Sequence, residues 1–196
     1  SDIILSGVGG QGILSIASII GMAALENHLQ LKQAEVHGMS QRGGAVQSHL
    51  RISVKEIASD LIPLGKSDII ISVEPMESLR YLPWLSEKGW LVTNTTPFIN
   101  IPDYPDINEL LTEIEKLPNH VAINADQIAR QVKSLRSSNI VMLGASAPFL
   151  DLPYESLENG IKKIFSRKGE KVVQLNLDAL NAGREYAIEH TPVGSN

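Results

Sequence analysis

Ile3-Ile4-Leu5-Ser6-Gly7-Val8-Gly9-Gly10-Gln11-Gly12-Ile13-Leu14 decides the fold. The apolar run at Ile3, Ile4 and Leu5 predicts a strand buried on both faces, as in a parallel sheet covered on each side by helices. Beyond Gly12 a helix is predicted to about Asn27, apolar at Ile13, Leu14, Ile16, Ala17, Ile19, Ile20 and Ala24. A helix apolar on most sides packs between a sheet and another layer. Leu31 to Val36 supplies a second strand, so strand, glycine loop, helix and strand all fall within the first 36 residues.

Further strands are predicted over Ala45–Ser53, Asp68–Val73, Trp90–Asn94 and Val121–Asn124. In the first of these Val46, Ser48, Leu50 and Ile52 share one face, against Gln47, His49 and Arg51 on the other. That alternation marks a strand with a polar or interface-facing side. Trp90–Asn94 is read as entered from a Glu87-Lys88-Gly89 turn, and Pro97, Pro102 and Pro105 mark a loop or excursion. Helices are predicted from Glu74-Pro75 to about Leu82, then over Ile107–Lys116, Ala125–Leu135, Asn139–Leu150, Tyr154–Ser166 and Leu177–Ile188. Lys171–Leu175 is a possible strand between the last two. The expected architecture is a three-layer α/β/α, Rossmann-like domain over 1–196, with a mostly parallel sheet and a helical C-terminal segment.

Composition removes several function classes. The 196 residues are 43% hydrophobic and 20% charged, ordinary for a soluble globular domain. A net charge of −5 argues against a nucleic-acid partner, which calls for clustered Lys and Arg. There is no cysteine, so a disulfide scaffold, a thiolate zinc site and a Cys-held iron–sulfur cluster have no ligands in this chain. Ser1-Asp2 leads into the first strand without a basic segment, and apolar runs stop well short of the ~18 residues of a membrane span. A cytoplasmic location with no membrane partner is expected.

Gly7, Gly9 and Gly12 fit G-x-G-x-x-G, with Gly10 and Gln11 between them. Small residues there let the backbone approach a ligand, and helix N-terminal N–H groups favour an anion. Glu35, 23 positions past Gly12, stands where a dinucleotide fold places a ribose-binding acid. Three readings remain open: a tight strand-to-helix crossing with nothing bound, an anion contact, and dinucleotide binding. Gln11 and the loop directly behind Glu35 weigh against the third, because they crowd the position of an adenosine ribose.

That second loop, Glu35-Val36-His37-Gly38-Met39-Ser40-Gln41-Arg42-Gly43-Gly44, is dense in special residues. Gly38, Gly43 and Gly44 give backbone freedom, His37 a titratable ring, Gln41 an amide and Arg42 a donor fork for carboxylate or phosphate. Its place at the carboxyl end of a strand is where such sheets bind ligands. The alternative is a solvated turn with a surface Arg.

The glycine loop, the H-G-M-S-Q-R-G-G run and the following Ser48-His49-Leu50-Arg51 together resemble the gamma-subunit family of 2-oxoacid:ferredoxin oxidoreductases, and within it the beta-subunit branch of indolepyruvate ferredoxin oxidoreductase. The specific motifs lie in about the first 55 residues; the Asp68-to-Pro75 strand and the Asn139-to-Gly144 helix extend the likeness in outline. The resemblance implies a complex in which a larger partner holds thiamine diphosphate, Mg and iron–sulfur clusters. It implies oxidative decarboxylation of an aryl-pyruvate or other 2-oxoacid, with coenzyme A as co-substrate and electrons passing to ferredoxin. No cofactor is expected on this chain alone, and the hard chemistry is expected on the partner.

Gly7, Gly9, Gly10, Gln11, Gly12, His37, Gly38, Gln41, Arg42, Gly43 and Gly44 are therefore the candidate contacts to a ligand or partner subunit. No catalytic residue or metal ligand is assigned. His37 reads as a proton-transfer residue or an interface hydrogen bonder, and His49 as a structural or interface residue. Glu74 reads as a helix N-terminal carboxylate or a ligand-edge acid, Asn94-Thr95-Thr96 as a turn or ligand contact, and Ser146 as helix packing. G-x-S-x-G and H-E-x-x-H are both absent, which leaves hydrolase and zincin readings without support.

Overall fold

A computed structural model describes residues 1–37 and 43–191, with the side chain of His37 excepted. Six strands form one sheet: β1 (Asp2–Val8), β2 (Gln30–His37), β3 (Ala45–Ser53), β4 (Ser67–Ser72), β5 (Leu85–Asn94) and β6 (His120–Ile123). Their order is β2-β3-β1-β4-β5-β6. β1, β4, β5 and β6 run parallel, whereas β3 is antiparallel to both its neighbours. The mostly parallel expectation holds for the centre, and the half-polar strand Ala45–Ser53 is the one that reverses. It folds back on β2 as a hairpin and thereby separates β2 from β1.

The helices are α1 (Ile13–Glu26), α2 (Pro75–Arg80), α3 (Ile107–Glu115), α4 (Ala125–Gln131), α5 (Ser138–Ser146), α6 (Tyr154–Phe165) and α7 (Glu170–His190). The strand pleat sends alternate residues to opposite layers. Ile3, Leu5, Ile69, Ile71, Val92 and Val121 enter a large core with α1 and α4 to α7. Ile4, Ile70 and Leu91 enter a smaller one with Ile62, Tyr81 and Ile114. The continuous apolar strands thus follow from cover on both faces.

Two strand readings need correction. Glu87-Lys88-Gly89 is not a turn before a strand: β5 already starts at Leu85, and its register against β4 shifts between Ser67 and Ile69. Gly89 lies at that irregularity, where a Cβ would sit 2.8 Å from the Ser67 carbonyl oxygen. Lys171–Leu175 is not a strand but the opening of α7. Its Val pair has β character, yet the buried set Asn176, Ala179, Leu180, Gly183 and Ala187 repeats with helical spacing and carries the segment into the helix.

Candidate functional site

The glycine loop lies at the carboxyl end of β1, and its parts have separate tasks. A Cβ at Gly7 would stand 2.3 Å from Val73 Cγ2 and 2.9 Å from Gln11 Oε1, so close packing excludes a side chain. Gly12 has φ 82° and caps α1, and a Cβ there would stand 2.5 Å from Asn139 Nδ2. Asn139, at the start of α5, donates to the Gly12 carbonyl at 3.1 Å. Gln11 turns inward: its Oε1 accepts from Val8 N at 2.7 Å and its Nε2 donates to Val73 O at 3.4 Å. The glutamine that looks like a ligand contact thus ties the ends of β1 and β4 together. Gly10, with φ 100° and open space for 4 Å around the place a Cβ would take, is the exposed point of the loop.

The second loop meets the first. Gly9 N donates to Gly44 O at 2.9 Å, and Gly43 N to Gly9 O at 3.5 Å. Asn100, from the proline-bearing excursion, donates its amide to Gly43 O. The structure therefore brings Gly7, Gly9, Gly10, Gln11, Gly12, Gly43 and Gly44 to one edge of the sheet. His37 ends β2 by its backbone; its side chain, with Gly38, Gln41 and Arg42, lies outside the described residues.

The glycine loop has two unlike sides. Toward β2 and β3, a cleft of about 260 Å³ is lined by Val8, Gly9, Gly10, Ile13, Leu14 and Val46, with Glu35 its charged member. Toward the C-terminal helices, a cleft of about 790 Å³ runs from Gly10–Gly12 past the 133–139 segment to the first turns of α7. The sequence reading missed this second cleft because it carried a helix through Leu135. α4 instead stops at Gln131, and Ser134, Ser137 and Ser138 mark the break.

The remaining candidates are engaged structurally. Glu74, fully buried, caps α2 by accepting from Glu77 N at 2.8 Å, and also accepts from Phe98 N at 3.3 Å and from the Tyr104 hydroxyl. Burial, followed by that hydrogen bond and the carboxylate charge, pushes the Tyr104 hydroxyl well above its ordinary range. Burial likewise raises Glu77, against the opposing charge of Arg80. Asn94 donates to Val73 O and Asp126 Oδ2 and accepts from Ala125 N and Thr96 N, which makes it a turn residue. Ser146 donates to Met142 O one turn back.

His49 is buried, and its Nδ1 accepts from Ile62 N at 3.0 Å. That places the ring proton on Nε2, which lies 2.8 Å from Gln47 Nε2, so the Gln47 amide is assigned turned end for end, with its oxygen accepting that proton. Burial, then the charge of Arg51, holds the ring below its ordinary pKa. Among the described residues, no group of three His, Cys, Asp or Glu side chains is placed to hold a metal ion. No helix among them is long and apolar enough to cross a membrane.

These features define an α/β protein of the glycine-loop class, in which the loop is fastened to a second glycine loop at the carboxyl edge of the sheet. The chain belongs to the pyruvate ferredoxin/flavodoxin oxidoreductase family, whose pattern it matches over residues 2–186. It is 36% identical to the indolepyruvate oxidoreductase subunit IorB of Archaeoglobus fulgidus, covering 97% of each chain. The keto/oxoacid ferredoxin oxidoreductase gamma subunit of Geobacter sulfurreducens superposes with a TM-score of 0.69 at 28% identity, over 96% of this chain and 98% of that one. The 2-oxoglutarate:ferredoxin oxidoreductase of Magnetococcus marinus, solved with 2-oxoglutarate, coenzyme A and succinyl-CoA, superposes with a TM-score of 0.76 at 23% identity. The match covers 97% of this chain but 31% of that one, which shows the shared fold.

Proposed function

We propose that this chain is the small subunit of an indolepyruvate-type 2-oxoacid:ferredoxin oxidoreductase. The complex converts an aryl-pyruvate or related 2-oxoacid to its acyl-CoA and passes the electrons to ferredoxin. The observation that carries the reading is 36% identity to an indolepyruvate subunit over 97% of each chain, joined to two glycine loops fastened at the carboxyl edge of the sheet, where such sheets bind ligands. Thiamine diphosphate, Mg and the clusters belong on a larger partner. This chain has no cysteine for a cluster. Its part is to shape the contact with that partner and with coenzyme A.

Arg42 supplies the test. A guanidinium between Gln41 and the Gly43-Gly44 pair offers a rigid donor fork that Lys does not reproduce. Removing one partner of a desolvated charged contact costs about 2–5 kcal/mol, against well under ~1 kcal/mol for a solvated surface Arg. Reconstituted with the larger subunit, Arg42→Ala is expected to weaken assembly or coenzyme A-dependent turnover, and Arg42→Lys to do so less. Co-elution and turnover both equal to the parent protein would remove Arg42 from the contact.

A further inference from the structure

The excursion between β5 and α3, residues 95–106, has no helix or strand of its own. Burial of its apolar groups does not hold its tip, because Phe98, Ile99 and Ile101 are exposed. Pro97, Pro102 and Pro105 stiffen it instead, each by fixing one backbone φ. Among the described residues, the hydrogen bonds from Pro97–Pro105 to the rest of the chain go to two places. Phe98 N and the Tyr104 hydroxyl both donate to Glu74 Oε1. Asn100, between them, donates its side-chain amide to Gly43 O.

Glu74 is suited to hold such a segment. Its side chain is fully buried, and among the described residues no cation pairs with it. A buried carboxylate without an ion pair depends on the hydrogen bonds it accepts. Its two oxygens divide the work: Oε2 takes Glu77 N at the start of α2, and Oε1 takes both donors of the excursion. Lifting the excursion would strip Oε1 of both. The two attachments bracket Asn100 in the chain, so they place the tip that carries it. Gly43, where Asn100 is bonded, donates from its own N to Gly9 O at 3.5 Å, and Gly44 O accepts from Gly9 N at 2.9 Å. The excursion is thus the third member of the fastening between the two glycine loops.

We infer that Glu74 is a positioning residue for the second glycine loop: by pinning the excursion at Phe98 and Tyr104 it places Asn100, and Asn100 places Gly43 against Gly9. Glu74 touches no ligand itself and acts only through the excursion. Gly43 directly follows Arg42 in the chain, so the consequence for assembly and turnover rests on the subunit reading above. The coupling inside the chain does not depend on that reading.

Hydrogen exchange of the isolated chain, read at single amides, tests the coupling. Tyr104→Phe removes one donor from Glu74, and Asn100→Ala removes the bond to Gly43. Each is expected to speed exchange of the Gly9 N–H about fivefold or more, while the N–H groups of Ile4 and Ile70 in the centre of the sheet keep the parent rate. The double variant is expected to match the faster single one, because both changes act along one path; independent structural roles would multiply. Glu74→Gln, which keeps the size but only one acceptor oxygen, is expected to act in the same direction. Should it fail to fold, the other two variants decide. In the complex reconstituted with the larger subunit, Tyr104→Phe is expected to weaken assembly or coenzyme A-dependent turnover about threefold or more, and to add nothing to Arg42→Ala. A Gly9 rate unchanged in both single variants, or effects that multiply in the double one, would overturn the inference. Faster exchange with unchanged assembly and turnover would uphold the coupling and withdraw the second loop from the subunit contact.

Discussion

A buried histidine held neutral gives the molecule a built-in acid sensitivity. His49 faces the smaller core, 6.3 Å from Trp84 in an edge arrangement, and accepts the Ile62 N–H. Burial first, then Arg51, depresses its pKa from the ordinary 6.5, with Asp60 pulling weakly the other way. The unfolded chain binds a proton as the pH falls through about 6.5, while the folded chain declines it until the pH is lower. The stability from His49 is therefore present above the unfolded value and is lost as the pH drops through the folded one. Urea midpoints are expected to fall between pH 7 and pH 5, and His49→Gln to flatten that slope. An identical slope in the variant would show that other groups set the acid limb. Strand alternation marked His49 as standing apart from the apolar face, but not that the 54–66 connection covers it. That cover comes from long-range packing, which one strand's pattern does not record.

At the scale of elements, the crossing of α5 and α7 is governed by two glycines. A Cβ on Gly144 would stand 2.0 Å from the Leu180 carbonyl oxygen, and one on Gly183 2.0 Å from the Val141 carbonyl oxygen. The obstacle on each side is backbone, which has no rotamer to change. Gly183→Ala is expected to destabilise the chain by about 3 kcal/mol, seen as a melting temperature lower by about 10 °C. A change under ~1 kcal/mol would mean that the helices separate easily. The small-residue run at Gly144-Ala145-Ser146-Ala147 announced close helix approach in the sequence. Gly183, 39 positions later, gave no such sign, because a glycine inside a polar-looking helix acquires meaning only beside its partner.

For the whole molecule, the insertion of β3 between β1 and β2 separates this sheet from a dinucleotide-binding one. It sets β2 one further strand spacing, about 4.8 Å, from the glycine loop. With Gln11 spent on Val8 and Val73, and Gly43-Gly44 bonded across Gly9, NAD and NADP are expected to show no micromolar affinity in a direct titration. Saturable micromolar binding of either would overturn this account of the loop. The apolar runs made the parallel centre and its helical cover readable. The polar alternation of Ala45–Ser53 told of an unusual strand but not of its direction, since pairing partners are set by the sheet and not by the strand. The second cleft was less legible still, because its walls come from the glycine loop, the 133–139 segment and the start of α7, which only the folded chain brings together.

The paired glycines also have a reach beyond their own contact. Asn139 and Asn176, both in the walls of the cleft, ride on the two helices that Gly144 and Gly183 hold at backbone distance. The crossing thereby sets where both asparagines stand, with Ser137 bonded to Asn176 across the two helices. A single added methyl group at the crossing would push the two helices apart and strain that bond. Chain positions outside the cleft would then set its shape.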